Sequence, residues 1–279
     1  MAISAGVISA GSALKVAVGG LGTIGLPVAR ALDSGIHGLE LAAVSARDRV
    51  KAARNMADFA NPVPVLGLAE LAGQADIVVE SAPAAVFAEL AEAAVEAGRI
   101  LVTVSCGALL DRMDLVERAR ETGARIVIPT GALLGLDAVR AAAEGTIHSA
   151  RMVTRKPPAS LAGAPYLAEQ GIDLDGLSAA RKIFEGTARE GARGFPANVN
   201  VAAALSLAGV GPDETRLEIW ADPAQTRNAH TIVIEADAAR LEMQIENVPS
   251  EENPRTGRLT PLSVIATLRG LTSPLKVGT

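Results

Sequence analysis

The residues of this chain whose types and spacing could do chemistry are three histidines, one cysteine, a glycine cluster and a few clustered cations and amides. No two histidines stand at metal-ligand spacing, and a single cysteine cannot build a thiolate site, so no metal centre is expected. His37 follows the first predicted helix and His148 lies near a predicted strand start, both positions suited to surface or structural roles. His230 differs. It opens a strand in phase with Ile232 and Ile234, beside the loop Asp222-Pro223-Ala224-Gln225-Thr226-Arg227-Asn228. An imidazole titrates near neutrality and can act as a general acid or base, but a histidine on an apolar strand face also serves as a satisfied core residue. Cys106, in Ser105-Cys106-Gly107-Ala108, needs a base and an electropositive setting to be a nucleophile; a small packing residue is the simpler reading.

The glycines carry the more specific chemistry. Gly20-x-Gly22-x-x-Gly25 follows the apolar Lys15-Val16-Ala17-Val18 directly and leads into Ile24, Val28, Ala31 and Leu32, one face of a helix. Strand, glycine turn and helix in this order form the dinucleotide fingerprint: the glycines allow a tight turn, close approach of a pyrophosphate and packing of helix on strand. Gly20, Gly22, Thr23, Ile24 and Gly25 are therefore candidate cofactor contacts, with Pro27 tolerable only inside the first helical turn. The second strand, Leu39 to Val44, ends at Ser45, where a carboxylate would bind the ribose 2′-hydroxyl of NAD. Ser45, Arg47 and Asp48 make a mixture that could accept a 2′-phosphate, so the cofactor is NAD or NADP; Arg47 can equally be a solvated loop charge.

These groups need a frame. Short apolar runs at 63–66, 77–83, 99–104 and 125–129 alternate with helical patterns at 68–72, 85–97 and around Leu115 and Ala119, with glycine stops at Gly98 and Gly123. That rhythm predicts a Rossmann-type, doubly wound parallel sheet in an α/β fold. The small-residue turns Ser81-Ala82-Pro83, Ser105-Cys106-Gly107 and Thr130-Gly131-Ala132 would line its ligand edge, which makes Ala82 a further cofactor candidate. Beyond a helix at Leu136 to Ala143 the patterning changes to period two, at 147–154, 217–220, 231–236 and 240–246. This predicts a second α+β domain with a mostly antiparallel sheet and one wet face, interrupted by helices at 177–190 and 199–207. The expected division is a dinucleotide-binding domain over 1–131, a substrate and dimerisation domain over 132–257, and a final helix in 258–279 returning to the first. The inward face of that helix is expected to carry Leu262, Ile265 and Ala266.

Composition narrows the partners. With 279 residues, 49% apolar and 20% charged, the chain is long enough for two cored domains. A net charge of −5 with no cationic, aromatic-interleaved cluster argues against nucleic acid. No uncharged apolar run reaches the roughly 20 residues that span a bilayer. The small apolar residues 1–14 lack the charged start of a signal peptide and read as a loose lead-in; with one cysteine, the chain suits a reducing cytoplasm. Thr154-Arg155-Lys156-Pro157-Pro158 concentrates charge at a strand end, suited either to an anionic substrate or to solvent. Asn198 and Asn200 open a predicted helix, as caps or as amide partners of a nicotinamide.

Taken together, the segments GGLGTIG (19–25), PTGALLGLDA (129–138), TRKPP (154–158), FPANVNVAAALSLAG (195–209), the DP and NAH of 222–230 and NVPSEENPRTG (247–257) give a chain that resembles the L-aspartate dehydrogenase family from Lys15 onward. The resemblance implies NAD(P)-dependent oxidative deamination of L-aspartate to oxaloacetate and ammonia through iminosuccinate, or the reverse. It implies a homodimer, a last helix packed on the dinucleotide domain, His230 as the catalytic acid or base, and Ala132 and Asn198 at the cofactor. Arg155, Lys156 and Asn253 are the candidates for the two substrate carboxylates. Cys106 and Ser45 depart from the family pattern, the latter standing where an acidic residue is expected. Two alternatives remain on the sequence: a dehydrogenase or reductase of another small amino or keto acid on this scaffold, and a dinucleotide sensor without turnover.

Overall fold

Leu14–Gly19 (β1) is the first strand of a six-stranded sheet in the computed structural model, which describes residues 13–196, 199–253 and 256–278. The lead-in expected at 1–14 falls almost wholly outside the described residues. The chain divides into two compact units: one holds the described residues as far as Thr103, Asp114–Val127 and those from Val264 on; the other holds Val104–Met113 and Ile128–Ser263.

In the first unit β1 is followed by α1 (Gly25–Asp33), β2 (Leu39–Ser45), α2 (Arg49–Asn55), β3 (Val65–Leu66), β4 (Ile77–Glu80), α3 (Phe87–Glu96) and β5 (Ile100–Thr103). The short α4 (Cys106–Leu110) belongs to the other unit, and α5 (Asp114–Thr122) and β6 (Arg125–Val127) complete this one. The strand order is β3-β2-β1-β4-β5-β6, parallel throughout. Strands covered on both faces must be apolar along their length, which is why Val16 to Val18, Ile77 to Val79, Leu101 and Val102 are all buried. The order reverses between β1 and β4, and the carboxyl ends of strands at such a reversal form the ligand crevice of these sheets. Pro27 is the third residue of α1, inside the first turn, where it forfeits no helical hydrogen bond.

Two local readings are corrected here. Helix α2 was not expected, because Arg49-Val50-Lys51-Ala52-Ala53-Arg54-Asn55 buries only Ala52 and so has no apolar stripe; it is started instead by Asp48, whose carboxylate accepts from Lys51 N at 2.9 Å. In α11 (Leu259–Thr272) the buried positions are Thr260, Val264 and Leu268, with Pro261 beside the first of them, while Leu262 and Ala266 are exposed and Ile265 is half-buried. The threonine at the head of that i, i+4, i+8 stripe disguised it. Toward its end, Thr272 Oγ1 donates to the carbonyl of His37 at 2.7 Å.

The second unit is built on β7 (Ile147–Lys156), β8 (Arg181–Thr187), β9 (Thr215–Ala221), β10 (Asn228–Ala236) and β11 (Arg240–Asn247), with helices α6 (Leu136–Ala143), α7 (Pro158–Leu161), α8 (Pro165–Glu169), α9 (Ala188–Gly194) and α10 (Asn200–Ala208). The sheet order is β11-β10-β7-β9-β8, antiparallel except for the parallel pair β7 and β9. Its inner face presents Ala150, Met152, Leu217, Ile219, Ile232 and Ile234 to Phe184, Phe195 and Leu205. Tyr166, Phe184 and Phe195 meet with ring centroids 5.3 to 5.6 Å apart. The outer face is polar: Arg151 pairs with Glu218, which also accepts from Trp220 Nε1 at 2.9 Å.

The helix expected over 177–190 is instead strand β8 followed by α9. Helix-forming residues such as Ala179, Ala180, Arg181 and Lys182 misled the pattern reading, and pairing with β9, which buries Ile183 and Phe184, overrode them. A signal was present. Thr187 and Glu190 form a reciprocal capping box that starts α9 only at Ala188.

Candidate active site

The glycine turn is fastened on both sides. Gly20 N donates to Ser45 O at 2.8 Å, Ser81 N donates to Gly19 O at 3.0 Å, and Ser81 Oγ reaches Gly19 O and Gly20 O at 3.0 and 3.1 Å. Gly20 has φ of +95°, a backbone that favours glycine, and a Cβ there would approach Ser81 O to 2.8 Å. A Cβ on Gly25 would overlap the Gly20 carbonyl oxygen, so this glycine is what lets α1 close on the turn. Gly22 is the opposite case: nothing lies within 4 Å of where its Cβ would be. Next to that open space is the N-terminus of α1, with no side-chain cap at Ile24 and no acid in its first turn. Leu26 N already donates to Gly22 O at 3.0 Å and Pro27 has no N–H, so the N–H groups of the turn from Gly22 to Gly25 are the ones that suit an anion, and these residues fit the pyrophosphate of a dinucleotide.

The flanking candidates take distinct places. Thr23 and Ile24 are half-buried at the turn. Ser45 is buried and acts through its carbonyl on Gly20; Arg47 is exposed and makes no ion pair among the described residues. Ala82 N donates to Glu80 Oε1 at 3.1 Å, and Thr103 Oγ1 donates to Glu80 Oε2 at 2.7 Å. Glu80, fully buried, thus fixes the end of β4, a role the sequence reading passed over because the residue sits inside an apolar run.

In the second unit the inner face of the sheet changes character toward one end. Alternate residues of a strand share a face, so Ala150, Met152, Thr154 and Lys156 of β7 point the same way, and all four are buried. His230 pairs with Thr154 on one side and Ile245 on the other, and its Nδ1 lies 3.0 Å from Thr154 Oγ1. Ala229 pairs with Arg155, so Asn228 and Lys156 follow side by side one step along the ladder; Asn228 also pairs with Asn247. Strand register therefore assembles a buried polar end, with Asn247, Asn228 and Lys156 in one row and His230 and Thr154 in the next. Asn247 Nδ2 donates to Ala132 O at 2.8 Å, which brings Ala132 to the same end.

Burial decides the state of His230. Desolvation, with the positive charge of Lys156 behind it, pushes the imidazole down to about 3, which corrects the expectation that it titrates near neutrality. The sign for stability follows. The unfolded chain binds this proton at about pH 6.5 and the folded chain only near 3, so the contribution is complete above about 6.5 and is lost as pH falls, by about 1.4 kcal/mol per unit. Urea unfolding between pH 7 and 4.5 should therefore show a shallower acid slope for His230→Gln than for the unsubstituted chain. Equal slopes would mean the imidazole is not held neutral.

Residues 137–271 match the family described as aspartate dehydrogenase, C-terminal, and residues 20–129 match the NAD-binding domain of homoserine dehydrogenase. The chain is 56% identical to L-aspartate dehydrogenase of Bradyrhizobium diazoefficiens, over 97% of this chain and 96% of that one. It is 54% identical to L-aspartate dehydrogenase 3 of Bordetella bronchiseptica, over 95% and 98%. The chain belongs to the L-aspartate dehydrogenase family. This member is an NAD(P)-dependent amino-acid dehydrogenase. The crystal structure of aspartate dehydrogenase from Thermotoga maritima superposes with a TM-score of 0.71 at 25% identity, covering 95% of this chain and 99% of that one.

Against this family background the remaining sequence candidates separate. Lys156 stands beside the histidine row, whereas Arg155 lies on the other face of β7, with its guanidinium 4.5 Å from the centre of the Trp220 ring and 3.7 Å from Asp222. Asn253 is engaged within its own loop: its carbonyl accepts from Ser250 Oγ at 2.7 Å and its N–H donates to the same hydroxyl at 3.2 Å. Asn198 lies outside the described residues. Asn200, at the start of α10, caps a different helix, its Oδ1 accepting from Gly107 N of α4 at 2.9 Å. Cys106 is buried against Leu110, Ala203 and Ala204, the packing role. Thr154, Asn228 and Asn247 were missed as site residues, since only the register of three strands brings them to His230.

Proposed function

We propose that this chain interconverts L-aspartate with oxaloacetate and ammonia through iminosuccinate, using NAD or NADP, with His230 as the group that handles the proton of the attacking water. The observation that carries the reading is the buried polar end of the sheet, where a neutral imidazole held by Thr154 stands beside the Lys156 ammonium. Glycines 20, 22 and 25, the N-terminus of α1, Ala82 and Ala132 would hold the dinucleotide, which when bound supplies the hydride acceptor for substrate C2.

Lys156 brings positive charge to the buried row, and a substrate carboxylate is its chemical complement. With Arg155 turned to Trp220 and Asp222, Lys156 is the favoured partner of a substrate carboxylate. Substrate carboxylates also change His230: negative charge nearby raises its proton affinity. The imidazole, neutral in the free enzyme, becomes a competent base once substrate is seated. The proton lost by water as its oxygen bonds to the imine carbon goes to His230, which returns it to the departing nitrogen.

Asp48, committed to capping α2, leaves Arg47 as the charge nearest the end of β2 that is free to meet a ribose 2′-phosphate. Arg47→Glu should weaken NADPH binding by about tenfold or more while leaving NADH nearly unchanged, read by fluorescence titration. Equal effects on both would remove Arg47 from cofactor choice. A homodimer in the cytoplasm completes the proposal, and light scattering of the purified chain tests the assembly.

The reaction itself is tested by following reduced-nicotinamide absorbance with oxaloacetate, with and without ammonium, using NADH and NADPH in parallel. Loss of signal that requires ammonium supports the proposal. Loss without ammonium would assign a hydroxy-acid enzyme instead, and cofactor binding with no loss at all would favour a sensor.

A further inference from the structure

Asn228 is buried, and its Oδ1 has no hydrogen-bond partner among the described residues. Buried polar atoms in native proteins are almost always satisfied, and one left bare carries its full desolvation cost unless a ligand completes it. Its position tells which ligand. Asn228 and His230 are alternate residues of β10 and share its inner face, and Asn228 stands between Asn247 and Lys156 in the polar row. Neither neighbour satisfies it: Asn247 gives its Nδ2 to Ala132 O, and no bond from Lys156 reaches Oδ1.

An amide oxygen can only accept. Of the groups on ionised aspartate, the two carboxylates also only accept, and the amino group is the one that donates. We propose that Asn228 is the seat of the substrate nitrogen, its Oδ1 accepting an N–H from the amine, or from the imine that replaces it, beside His230. The assignment rests on the aspartate dehydrogenase reading above and adds a specificity rule to it. A keto oxygen has no proton to offer Oδ1, so this position sets two acceptors against each other when a keto acid binds, and favours the nitrogen-bearing form.

Succinate, which is aspartate without its amino group, isolates the contact. The full-length chain, loaded with NADH so that aspartate cannot turn over, is titrated calorimetrically with L-aspartate and with succinate. The expected result is an aspartate preference of about ten- to a hundredfold, the usual worth of a buried hydrogen bond to a charged group. In Asn228→Leu the two ligands should bind alike while succinate and NADH affinities hold, and the melting temperature should not fall, since leucine removes an unsatisfied acceptor. Asn228→Asp keeps the acceptor and should keep the preference. An unsubstituted chain with no preference would overturn both this seat and the aspartate reading. A preference that survives in Asn228→Leu would overturn the seat alone. A lowered melting temperature in Asn228→Leu together with a lost preference in Asn228→Asp would make the residue structural and also overturn it.

Discussion

His230→Ala should lower aspartate turnover by about a hundredfold to ten-thousandfold, the range of a lost general acid or base, and should leave the dissociation constant for NAD(P)H unchanged. The asymmetry is the point. His230 lies on the sheet of the second unit, among Thr154, Lys156 and Asn228, whereas the glycine turn belongs to the first unit. Removing an imidazole from the buried row leaves Thr154 Oγ1 without its partner at 3.0 Å, so some stability is lost as well, about 1 to 3 kcal/mol. His230→Gln, which keeps a polar side chain there, separates the two effects: it should fold as well as the unsubstituted chain and still turn over slowly. Stopped-flow measurement of the rate per bound complex decides the matter. Collapse of cofactor affinity with normal chemistry in the residual complex would remove His230 from the proposed role.

The second large effect comes from adding a single methyl group at either of two glycines, with opposite consequences. Gly25→Ala drives a Cβ into the Gly20 carbonyl oxygen and to 2.6 Å from Ser81 Oγ, so the turn and α1 must part. Forcing volume into such a contact costs about 3 kcal/mol or more, and the melting temperature of the first unit should fall along with cofactor binding. Gly22→Ala meets nothing within 4 Å, and Gly22 is not among the glycines of positive φ, so the chain should fold and melt as before. With the dinucleotide seated as proposed, its methyl would occupy the space the pyrophosphate needs, and NAD(P)H affinity should drop by at least about tenfold. Calorimetric melting beside fluorescence titration reads both variants. Normal cofactor affinity in Gly22→Ala would move the phosphate site away from this turn.

The first unit was largely legible because its information is local. An apolar run, a glycine turn and a helical stripe sit within residues 15–32, and glycines at 98 and 123 mark the ends of α3 and α5 with φ of +67° and +78°. Helix α6 was read with its observed ends for the same reason. Legibility fails where neighbours in space are distant in sequence. β8 looks helical until β9 claims Ile183 and Phe184. His230 looks like a group that titrates near neutrality until β7 and β11 enclose it, and the alternation of β7 alone does not say that Lys156 turns inward and Arg155 outward. Asn228 illustrates the limit best: as one letter of NAH it reads as a turn residue, and only its pairing with Asn247 exposes an unsatisfied acceptor.

The first unit draws its parts from three stretches of chain, and the segment from Val264 on, including the Thr272 contact to His37, comes last. On the ribosome this has a direct effect. Strands β1 to β6 are all made early, but the segment from Val264 on follows only after the whole second unit, so the dinucleotide half has every strand of its sheet while it still lacks a helix. A released chain truncated just before Val264 would hold every strand of both sheets, with the Asn228 and His230 row, yet lack most of the last helix. The unit that is begun first is thus the last to receive all its parts.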